Sequence, residues 1–226
     1  MTSRALFVTG TDTGVGKTVV SSAIVSAFSS RVRVGVMKPC ETGGGDDAQR
    51  LIAASGRDWP IDDVSPFRFE IPASPAAAAS HERRTVSLST IDAAFARVRA
   101  ASELLVVEGA GGLLVPLTDR LSTADLVVHL RLPLLIVARP TLGTVNHTLL
   151  TIEAARARHI PIIGFVFSRR QRPANPDEPT NAAAIMRASG VSWLGTLPAL
   201  DDSTIANRAA LAAAARKHLA LSAIFS

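Results

Sequence analysis

A glycine-rich segment near the start of the chain constrains its fold more than any other feature. The apolar run Ala5–Thr9 leads into Gly10–Thr18, which holds three glycines and ends in Gly-Lys-Thr, and the apolar segment Thr18–Ser29 follows at once. Glycines allow the backbone to curl until successive N–H groups converge on an anion, and a helix that starts there turns its positive end to the same anion. The order of strand, loop and helix therefore predicts a phosphate-binding loop, or P-loop.

Apolar runs of strand length alternate with helix-like segments along the rest of the chain. The predicted strands are Ala5–Thr9, Arg33–Lys38, Leu104–Glu108, Leu134–Ala138 and Ile162–Phe167. Helices are predicted at Thr18–Ser29, Ile91–Ala101, Val145–Ala155 and Asp202–Leu219. Trp59–Ser80 contains four prolines and is predicted to be a connecting loop. Continuous apolar strands are typical of sheets covered on both faces, so we predict an α/β fold: a doubly wound, mostly parallel sheet flanked by helices, as in P-loop NTPases.

Length and composition favour one domain, spanning residues 1–226. Hydrophobic residues make up 47% of the chain, yet no run approaches the ~20 apolar residues that a membrane helix needs. The first residues lead into a strand rather than a signal peptide, so we expect a soluble, cytoplasmic protein with no membrane partner. The single cysteine, Cys40, excludes an internal disulfide, and we interpret it as a bystander thiol.

The formal charge of +5 raises the question of nucleic-acid binding, but its distribution argues against it. Arginines are scattered and aromatic residues make up only 4% of the chain. The one local cluster, Arg169, Arg170 and Arg172, is interrupted by Gln171 and followed by a proline, and we interpret it as a solvated loop. The sequence therefore predicts no nucleic-acid partner.

Side chains in and beyond the glycine-rich loop could complete a phosphoryl-transfer site. Lys17 is placed to reach the β- and γ-phosphates of a nucleotide, and the Thr18 hydroxyl to ligate the Mg²⁺ that bridges them. Glu108 ends a predicted buried strand, at the edge where open α/β sheets bind ligands, and is a candidate metal ligand. Asp46 and Asp47 follow three glycines; either is a candidate ligand or a helix N-cap, and spacing does not decide between them.

A second lysine stands where the second predicted strand stops. Pro39 ends that strand directly after Lys38, and in a doubly wound sheet this edge faces the same crevice as Lys17. Lys38 could therefore neutralise charge on a transferred phosphoryl group or an acyl phosphate, with the Thr42 hydroxyl nearby. The alternative is a lysine that extends from the strand end into solvent.

Taken together, these motifs resemble the dethiobiotin synthetase family over most of the chain. The matching segments are Val8–Thr13, Gly16–Thr18, Lys38-Pro39, Thr42-Gly43, Val107–Gly112, Pro116-Leu117, Leu142–His147 and Gly195–Pro198. The set is specific to that family, whereas the P-loop alone occurs in many nucleotide-binding proteins.

The resemblance implies an ATP- and Mg²⁺-dependent enzyme that makes dethiobiotin from 7,8-diaminononanoate and CO2. It implies that one amine becomes a carbamate, that the carbamate oxygen attacks the γ-phosphate, and that the second amine attacks the mixed anhydride. It also implies a homodimer with the site at the subunit interface.

The same resemblance assigns a role to each matching position of this sequence. Lys17 and Lys38 would be catalytic, and Thr18, Asp47 and Glu108 would hold the metal. The implied nucleotide-binding residues are Thr13, Gly14, Val15, Gly16, Lys17, Thr18, Asp47, Glu108, Gly109, Ala110, Gly111, Ser168, Pro198, Ala199 and Leu200. The implied substrate-binding residues are Thr11, Lys38, Thr42, Gly143, Thr144, Val145 and Asn146.

One departure and three rival hypotheses remain. Ser168, followed by Arg169, stands where the family usually places an asparagine that reads adenine, so the sequence does not fix the base preference. Partition and cell-division ATPases have a similar loop but carry a signature lysine where this chain has Asp12. An amidotransferase-type cobyrinate synthase needs a further glutaminase domain, for which the chain is too short. A nucleotide-binding module without catalysis would differ from the enzyme by its lack of turnover.

Overall fold

The computed structural model describes residues 4–170 and 176–225 of the chain. The strands are β1 Arg4–Gly10, β2 Val34–Met37, β3 Cys40–Glu41, β4 Phe67–Arg68, β5 Leu104–Gly112, β6 Leu134–Ala138, β7 Ile162–Ser168 and β8 Trp193–Leu197. The helices are α1 Lys17–Ser29, α2 Asp47–Ser55, α3 Ile61–Val64, α4 Pro75–His81, α5 Leu88–Ala100, α6 Thr123–Leu130, α7 Thr144–Arg156, α8 Glu178–Ser189, α9 Asp202–Ala206, α10 Arg208–His218 and α11 Leu221–Ile224.

A six-stranded parallel sheet organises these elements, in the order β2-β5-β1-β6-β7-β8. Phe7 of β1 packs into the core on one face, and its neighbours Leu6 and Val8 pack into the core on the other. Helices α5 to α8 contribute to the first core, and α1, α2 and α10 to the second. Both faces are covered, which is why the strands are continuously apolar, and the predicted doubly wound fold is confirmed.

Strand register brings the candidate site together at the carboxyl edge of this sheet. β2 pairs with β5 so that Met37 lies beside Val107, and the residues that follow them, Lys38 and Glu108, are neighbours. β1 pairs with β5 so that Val8 lies beside Glu108, which places the glycine-rich loop next to that carboxylate. Parallel pairing thus converts three distant sequence positions into one cluster.

Two sequence predictions about local structure were wrong. Trp59–Ser80 is not one loop, because it contains α3, β4 and most of α4. Pro60 is the N-cap of α3 and Pro75 opens α4, positions at which a missing N–H costs no helical hydrogen bond. The helix predicted at Asp202–Leu219 is broken at Asn207, whose extended backbone ends α9 and whose side chain caps α10 by accepting from Ala210 N at 3.0 Å.

Among the residues that the structure describes, no helix is both long enough and apolar enough to span a bilayer.

Candidate active site

A cleft of about 640 Å³ opens where the main sheet's strands end. The residues that line it come from five stretches of the chain, each associated with the carboxyl end of a strand. They lie after β1 (Thr13, Gly14, Gly16, Lys17, Thr18, Val19), after β2 (Lys38, Thr42, Asp46, Asp47, Arg50), near the end of β5 (Ala110, Gly111), at the end of β7 and beyond (Ser168, Arg169, Arg170), and after β8 (Pro198, Ala199, Leu200, Asp202, Ile205). We call the Lys17, Thr18, Lys38, Asp47 and Glu108 cluster the phosphate end, and the stretch formed by Ser168–Arg170 and Pro198–Leu200 the base end.

The P-loop is held by close backbone approach. Gly16 caps α1 in a left-handed conformation, with φ of 97°, so that the first helical amides face the cleft. At Gly10, a Cβ would lie 2.7 Å from the Asp12 carbonyl oxygen and 2.8 Å from Val15, so a side chain does not fit. Lys17 opens α1 and donates to that same Asp12 oxygen at 3.2 Å. Burial, aided by repulsion from Lys38, lowers the pKa of Lys17 to about 8.

Lys38 lies at the centre of the phosphate end and is buried there. Its Nζ donates to Glu108 Oε1 at 2.6 Å and to Asp47 Oδ2 at 2.7 Å. Thr18 Oγ1 donates to the same Glu108 oxygen at 2.9 Å. Lys38 therefore points into the site, and its extension into solvent from a strand end is excluded.

The charges in this cluster determine one another's protonation. Burial alone would lower the pKa of Lys38, but the Glu108 and Asp47 carboxylates outweigh it and raise that pKa above its usual value. Burial alone would raise the pKa of Asp47, but the Lys38 ammonium outweighs it and lowers that pKa. Lys38 is thus a permanent cation and Asp47 a permanent anion near neutral pH.

The oxygens of Thr18, Asp47 and Glu108 are suited to a magnesium ion. Glu108 is fully buried, and its Oε2 has no hydrogen-bond partner among residues 4–170 and 176–225. A buried carboxylate oxygen without a proton donor, beside a threonine hydroxyl and a second carboxylate, is the hard donor set that Mg²⁺ takes when phosphates complete its shell. Asp46 differs from Asp47 because it pairs with Arg50 at the surface, 2.7 Å away.

Glu41 contributes to this end although no sequence pattern drew attention to it. It is buried on β3, and its Oε1 accepts from Ala48 N at 3.2 Å, in the first turn of α2. The N-cap of α2, Asp46, makes no side-chain cap hydrogen bond, so Glu41 serves that function from a distance. It thereby fixes the helix that carries Asp47. Burial raises the pKa of Glu41, against the Ala48 hydrogen bond.

The interpretation of the arginine cluster as a solvated loop was wrong for Arg169, whereas Arg170 is exposed in a loop. Arg169 Nε donates to Glu178 Oε2 at 2.7 Å, and Glu178 is buried. Arg170 Nη1 donates to the Gly14 carbonyl of the P-loop at 2.8 Å. The third member of that cluster, Arg172, lies outside the described residues. Neither contact could be predicted from the spacing of residues in the sequence. The first joins a loop residue to the first residue of α8, and the second joins residues that are 156 positions apart.

Some residues implied by the resemblance do not line the cleft. Glu108 is fully buried and meets the lining only through its hydrogen bonds with Lys38 and Thr18. Val15 is buried in the core beside α1, and Gly109 lies against Phe7, whose ring a Cβ there would approach to 2.8 Å. Thr11 lines a separate depression of about 420 Å³. The segment Gly143–Asn146 begins α7 and does not line the cleft of its own chain.

Ser168 is packed directly against the P-loop. A Cβ at Gly16 would lie 2.3 Å from Ser168 Oγ, so a side chain at position 16 would clash with this serine. Ser168 pairs with Leu197 at the end of β8, which places Pro198, Ala199 and Leu200 alongside it. The segments to which the resemblance assigns nucleotide contacts, Ser168 and Pro198–Leu200, therefore lie side by side; their contact with a nucleotide stays a prediction.

Comparison with known proteins gives relatives over nearly the whole chain. The family model described as an AAA domain matches residues 4–207. An ATP-dependent dethiobiotin synthetase BioD from Anaeromyxobacter dehalogenans is 49% identical over 211 residues, covering 91% of this chain and 94% of that protein. The protein of the same name from Bacillus subtilis is 39% identical over 207 residues, covering 89% and 90%.

Solved structures resemble the chain in fold. The MinC:MinD cell division protein complex of Aquifex aeolicus matches with a TM-score of 0.60 at 12% identity, over 95% of both chains. A ParA family ATPase from Chlorobium tepidum matches with a TM-score of 0.53 at 14% identity, over 96% of this chain and 93% of that one. Identities this low establish a shared P-loop NTPase fold only, so the partition-ATPase hypothesis is not favoured. On the sequence relatives, the chain belongs to the dethiobiotin synthetase family, within the AAA-domain group of P-loop proteins.

Proposed function

We propose that this chain is an ATP-dependent cyclo-ligase that closes the ureido ring of dethiobiotin from 7,8-diaminononanoate and CO2, in biotin biosynthesis. The observation that carries the proposal is a charged cluster at one end of the cleft. Lys17, Thr18, Lys38 and Asp47 line the cleft, and the buried Glu108 is hydrogen-bonded to both Thr18 and Lys38. Phosphoryl transfer uses cations that stabilise the transferring group and carboxylates that hold a metal ion, and this cluster supplies both. The names of the sequence relatives agree with this activity.

Each lysine has a distinct part in the proposed reaction. The carbamate of the substrate carries a negative charge, and the buried ammonium of Lys38 would hold its oxygen in line with the γ-phosphorus. Lys17 and the amides at the start of α1 would stabilise the β- and γ-phosphate oxygens as the bond to ADP breaks. The second amine would then attack the carbonyl carbon of the mixed anhydride, closing the ring and releasing phosphate.

Thr18, Asp47 and Glu108 are proposed to hold Mg²⁺. The support is the all-oxygen donor set and the unpartnered Oε2 of Glu108 described above. The ion would supply neutralisation of charge on the bridging phosphate oxygens.

A second depression meets the cleft and could receive the substrate's hydrocarbon chain. It holds about 410 Å³ and shares Thr13, Thr42, Ala110 and Gly111 with the cleft. Its other walls are mainly apolar: Pro72, Ala73, Ser74, Pro75 and Val115. A chain of methylene groups with one amine directed at Lys38 suits a pocket that is apolar at one side and charged at the other.

We also propose a homodimer with the site at the subunit interface. Three large apolar side chains are exposed near α7: Leu114 at 53%, Leu142 at 101% and Leu150 at 61% of their full area. Two of them line the depression that contains Thr11, and the third precedes Gly143. Exposed apolar surface beside a segment with an implied substrate role favours burial against a second copy.

The decisive experiment follows ADP release from purified protein. ADP should form only when 7,8-diaminononanoate, bicarbonate and Mg²⁺ are all present, and dethiobiotin should form in equal amount. Equal ADP release without the diamine would reject the synthetase proposal in favour of an ATPase switch.

Cross-complementation tests the shared site. Lys38→Ala removes the cluster lysine and Asn146→Asp places a like charge where the substrate carboxylate is expected, so each homodimer should be inactive. A mixture of the two, refolded or co-expressed, should recover up to about a quarter of wild-type turnover, because random pairing gives half heterodimers with one intact site each. No recovery, with dimers present, would place the site within one chain.

A cytoplasmic location is part of the proposal. It is supported by the use of ATP and by the buried free thiol of Cys40, which suits a reducing compartment.

A further inference from the structure

The base end of the cleft contains a buried ion pair that the proposed chemistry does not use. Glu178, the first residue of α8, is only 3% exposed and accepts from Arg169 through both oxygens, at 2.7 Å from Nε and 3.2 Å from Nη2. Thr196 of β8 donates to the same carboxylate at 2.5 Å. The Arg169 backbone is also fixed, because its N–H donates to Leu197 O at 3.0 Å. Four contacts therefore define the direction of one guanidinium group.

The orientation of the cleft indicates what lies opposite that group. The P-loop and Lys38 determine where the β- and γ-phosphates bind, so the ribose and base must extend toward the other end of the 640 Å³ cleft. That end has apolar walls from Pro198, Leu200 and Ile205. Its polar lining includes Arg169, which keeps 30% of its side chain exposed.

Other arginines of the cleft lining are committed elsewhere. Arg170 donates to Gly14 O in the P-loop, and Arg50 is paired with Asp46 on the surface of α2. A buried pair such as Arg169 and Glu178 is weak evidence for stability, because desolvating two charges offsets much of their attraction. A rigid guanidinium beside a ligand cleft is, in contrast, a common device for reading hydrogen-bond acceptors on a planar ring.

We propose that Arg169 contacts the nucleobase of the bound nucleoside triphosphate, and that Glu178 is the positioning residue that aims it. Glu178 occupies the Nε/Nη2 edge, so the guanidinium presents its remaining donor edge and its flat face to the cleft. Ring nitrogens and carbonyl oxygens of a base would accept from the donors, and the face would stack on the ring. This inference rests on the proposed function only in taking a nucleoside triphosphate as the ligand.

The test compares whole nucleotide with its phosphate tail. Isothermal titration of the full chain with Mg²⁺ and either ATP, CTP, GTP or inorganic tripolyphosphate separates base contacts from phosphate contacts. Arg169→Ala should weaken binding of the best nucleotide by about 10-fold and flatten the preference among bases, with tripolyphosphate affinity unchanged. Glu178→Gln should reduce the affinity for the best nucleotide, relative to that for tripolyphosphate, by about 5-fold. The charge of Arg169 remains in this variant but its orientation is lost.

Two arginine variants serve as matched controls. Arg170→Ala removes the same charge one residue away. It should weaken the binding of ATP and of tripolyphosphate by the same factor, because Arg170 contacts the P-loop. Arg97→Ala removes an arginine that pairs with Asp63, away from the cleft, and should change neither. Arg169→Lys should not restore the preference, since lysine lacks the planar fork.

The double variant Arg169→Ala, Glu178→Gln keeps the proposal testable if an unpaired buried charge prevents folding of either single variant. A folded variant that lacks Arg169 and binds every nucleotide with wild-type ratios to tripolyphosphate would overturn the inference and leave the pair a purely structural link. These measurements need no diamine, so they are independent of the turnover experiment. If no dethiobiotin forms but the Arg169 variant still changes the preference among bases, only the synthetase proposal is rejected.

Discussion

The two ends of the cleft are built in different ways. At the phosphate end, Lys38 directly follows β2 and Glu108 lies within the neighbouring strand β5. Lys17 and Thr18 open the helix after β1, and Asp47 opens α2. Both lysines and Glu108 are buried. The base end consists of the last residue of β7 and the residues that follow β7 and β8, at the far side of the sheet. Its side chains are at least partly exposed, except that of Ser168. At the phosphate end, sheet register alone brings Lys38 to Glu108. At the base end, orientation depends on Glu178, which reaches Arg169 from α8.

This contrast has a functional consequence. Phosphoryl transfer is sensitive to small displacements, and a site carried on paired strands is held by the whole sheet. Recognition of a base tolerates larger displacements of the protein groups. Residues in the loops after strand ends can perform it, because substitutions there do not disturb the sheet. We therefore expect substitutions at the phosphate end to reduce kcat and those at the base end to change nucleotide affinity and selectivity.

The largest effect is expected for Lys38→Ala. The variant removes the cation that is placed to hold the carbamate and the transferring phosphoryl group, so kcat for diamine-dependent ADP formation should fall by about 10²–10³-fold. ATP affinity should stay nearly the same, because the loss lies in the transition state. Saturating Mg²⁺ in the assay supplies charge to Asp47 and Glu108 in place of the missing ammonium.

Lys217→Ala is the matched control for that variant. Lys217 is exposed in the last turn of α10, outside the cleft, and its removal should leave kcat unchanged. A Lys38→Ala protein with normal kcat would remove Lys38 from the mechanism, and one with weakened ATP binding but normal kcat would erase the distinction between the two ends.

Gly16→Ala tests the contact between the P-loop and Ser168 of the base end. The new Cβ would lie 2.3 Å from Ser168 Oγ, and the backbone has φ of 97°, which side chains other than glycine rarely adopt. Strain of roughly 1–3 kcal/mol would move the P-loop or Ser168, so ATP affinity should fall by about 10-fold or more. Titration calorimetry with ATP measures the change.

Gly190→Ala separates backbone strain from the steric clash. Gly190 ends α8 with φ of 69°, and nothing lies within 4 Å of a Cβ there. The control should lose about 1 kcal/mol of unfolding free energy, measured by urea denaturation, with ATP affinity intact. If both variants bind ATP normally, the contact between Gly16 and Ser168 is not needed for the nucleotide.

Much of the phosphate end could be predicted from the sequence because its signals are local. A glycine-rich loop between strand and helix identifies Lys17 and Thr18, and an acid that ends an apolar run identifies Glu108. Sheet order then brings them together without further information. The choice between Asp46 and Asp47 could not be made in this way, because both lie at the start of the same helix and only the fold turns Asp47 toward Lys38.

Features that depend on long-range contacts could not be predicted from the sequence. β8 was not predicted, since Trp193–Leu197 lacks a continuous apolar run and is a strand because it pairs with β7. Short elements within Trp59–Ser80 were missed because prolines there lie at helix starts. Glu178 gave no signal, because a glutamate that opens a helix is ordinarily a solvated residue and only the fold buries it against Arg169.

Thr196→Val should produce a smaller effect, confined to the base end. The variant removes one of the donors to Glu178 and keeps the shape of the side chain, so the pair with Arg169 remains. Loss of one hydrogen bond with a net value of roughly 0.6 kcal/mol should reduce ATP affinity relative to tripolyphosphate by about threefold, with kcat unchanged. Thr180→Val, an exposed change on α8, is the control. A reduced kcat with unchanged affinity would contradict the division between the two ends.

The smallest effect is expected from alkylation of Cys40, a test of how tightly the residues next to Lys38 are packed. Cys40 follows Lys38 and Pro39 but is only 2% exposed, and burial raises the pKa of its thiol to about 12 despite the nearby Lys38. At pH 8 the thiolate, which is the reactive form, is about one part in 10⁴ of the thiol. Iodoacetamide should therefore leave the native protein unlabelled and fully active for hours, and should modify one thiol per chain after unfolding in guanidinium. Rapid labelling of the native protein, with loss of turnover that ATP prevents, would mean that the segment from Lys38 to Cys40 opens to solvent. The phosphate end would then be no more rigid than the base end.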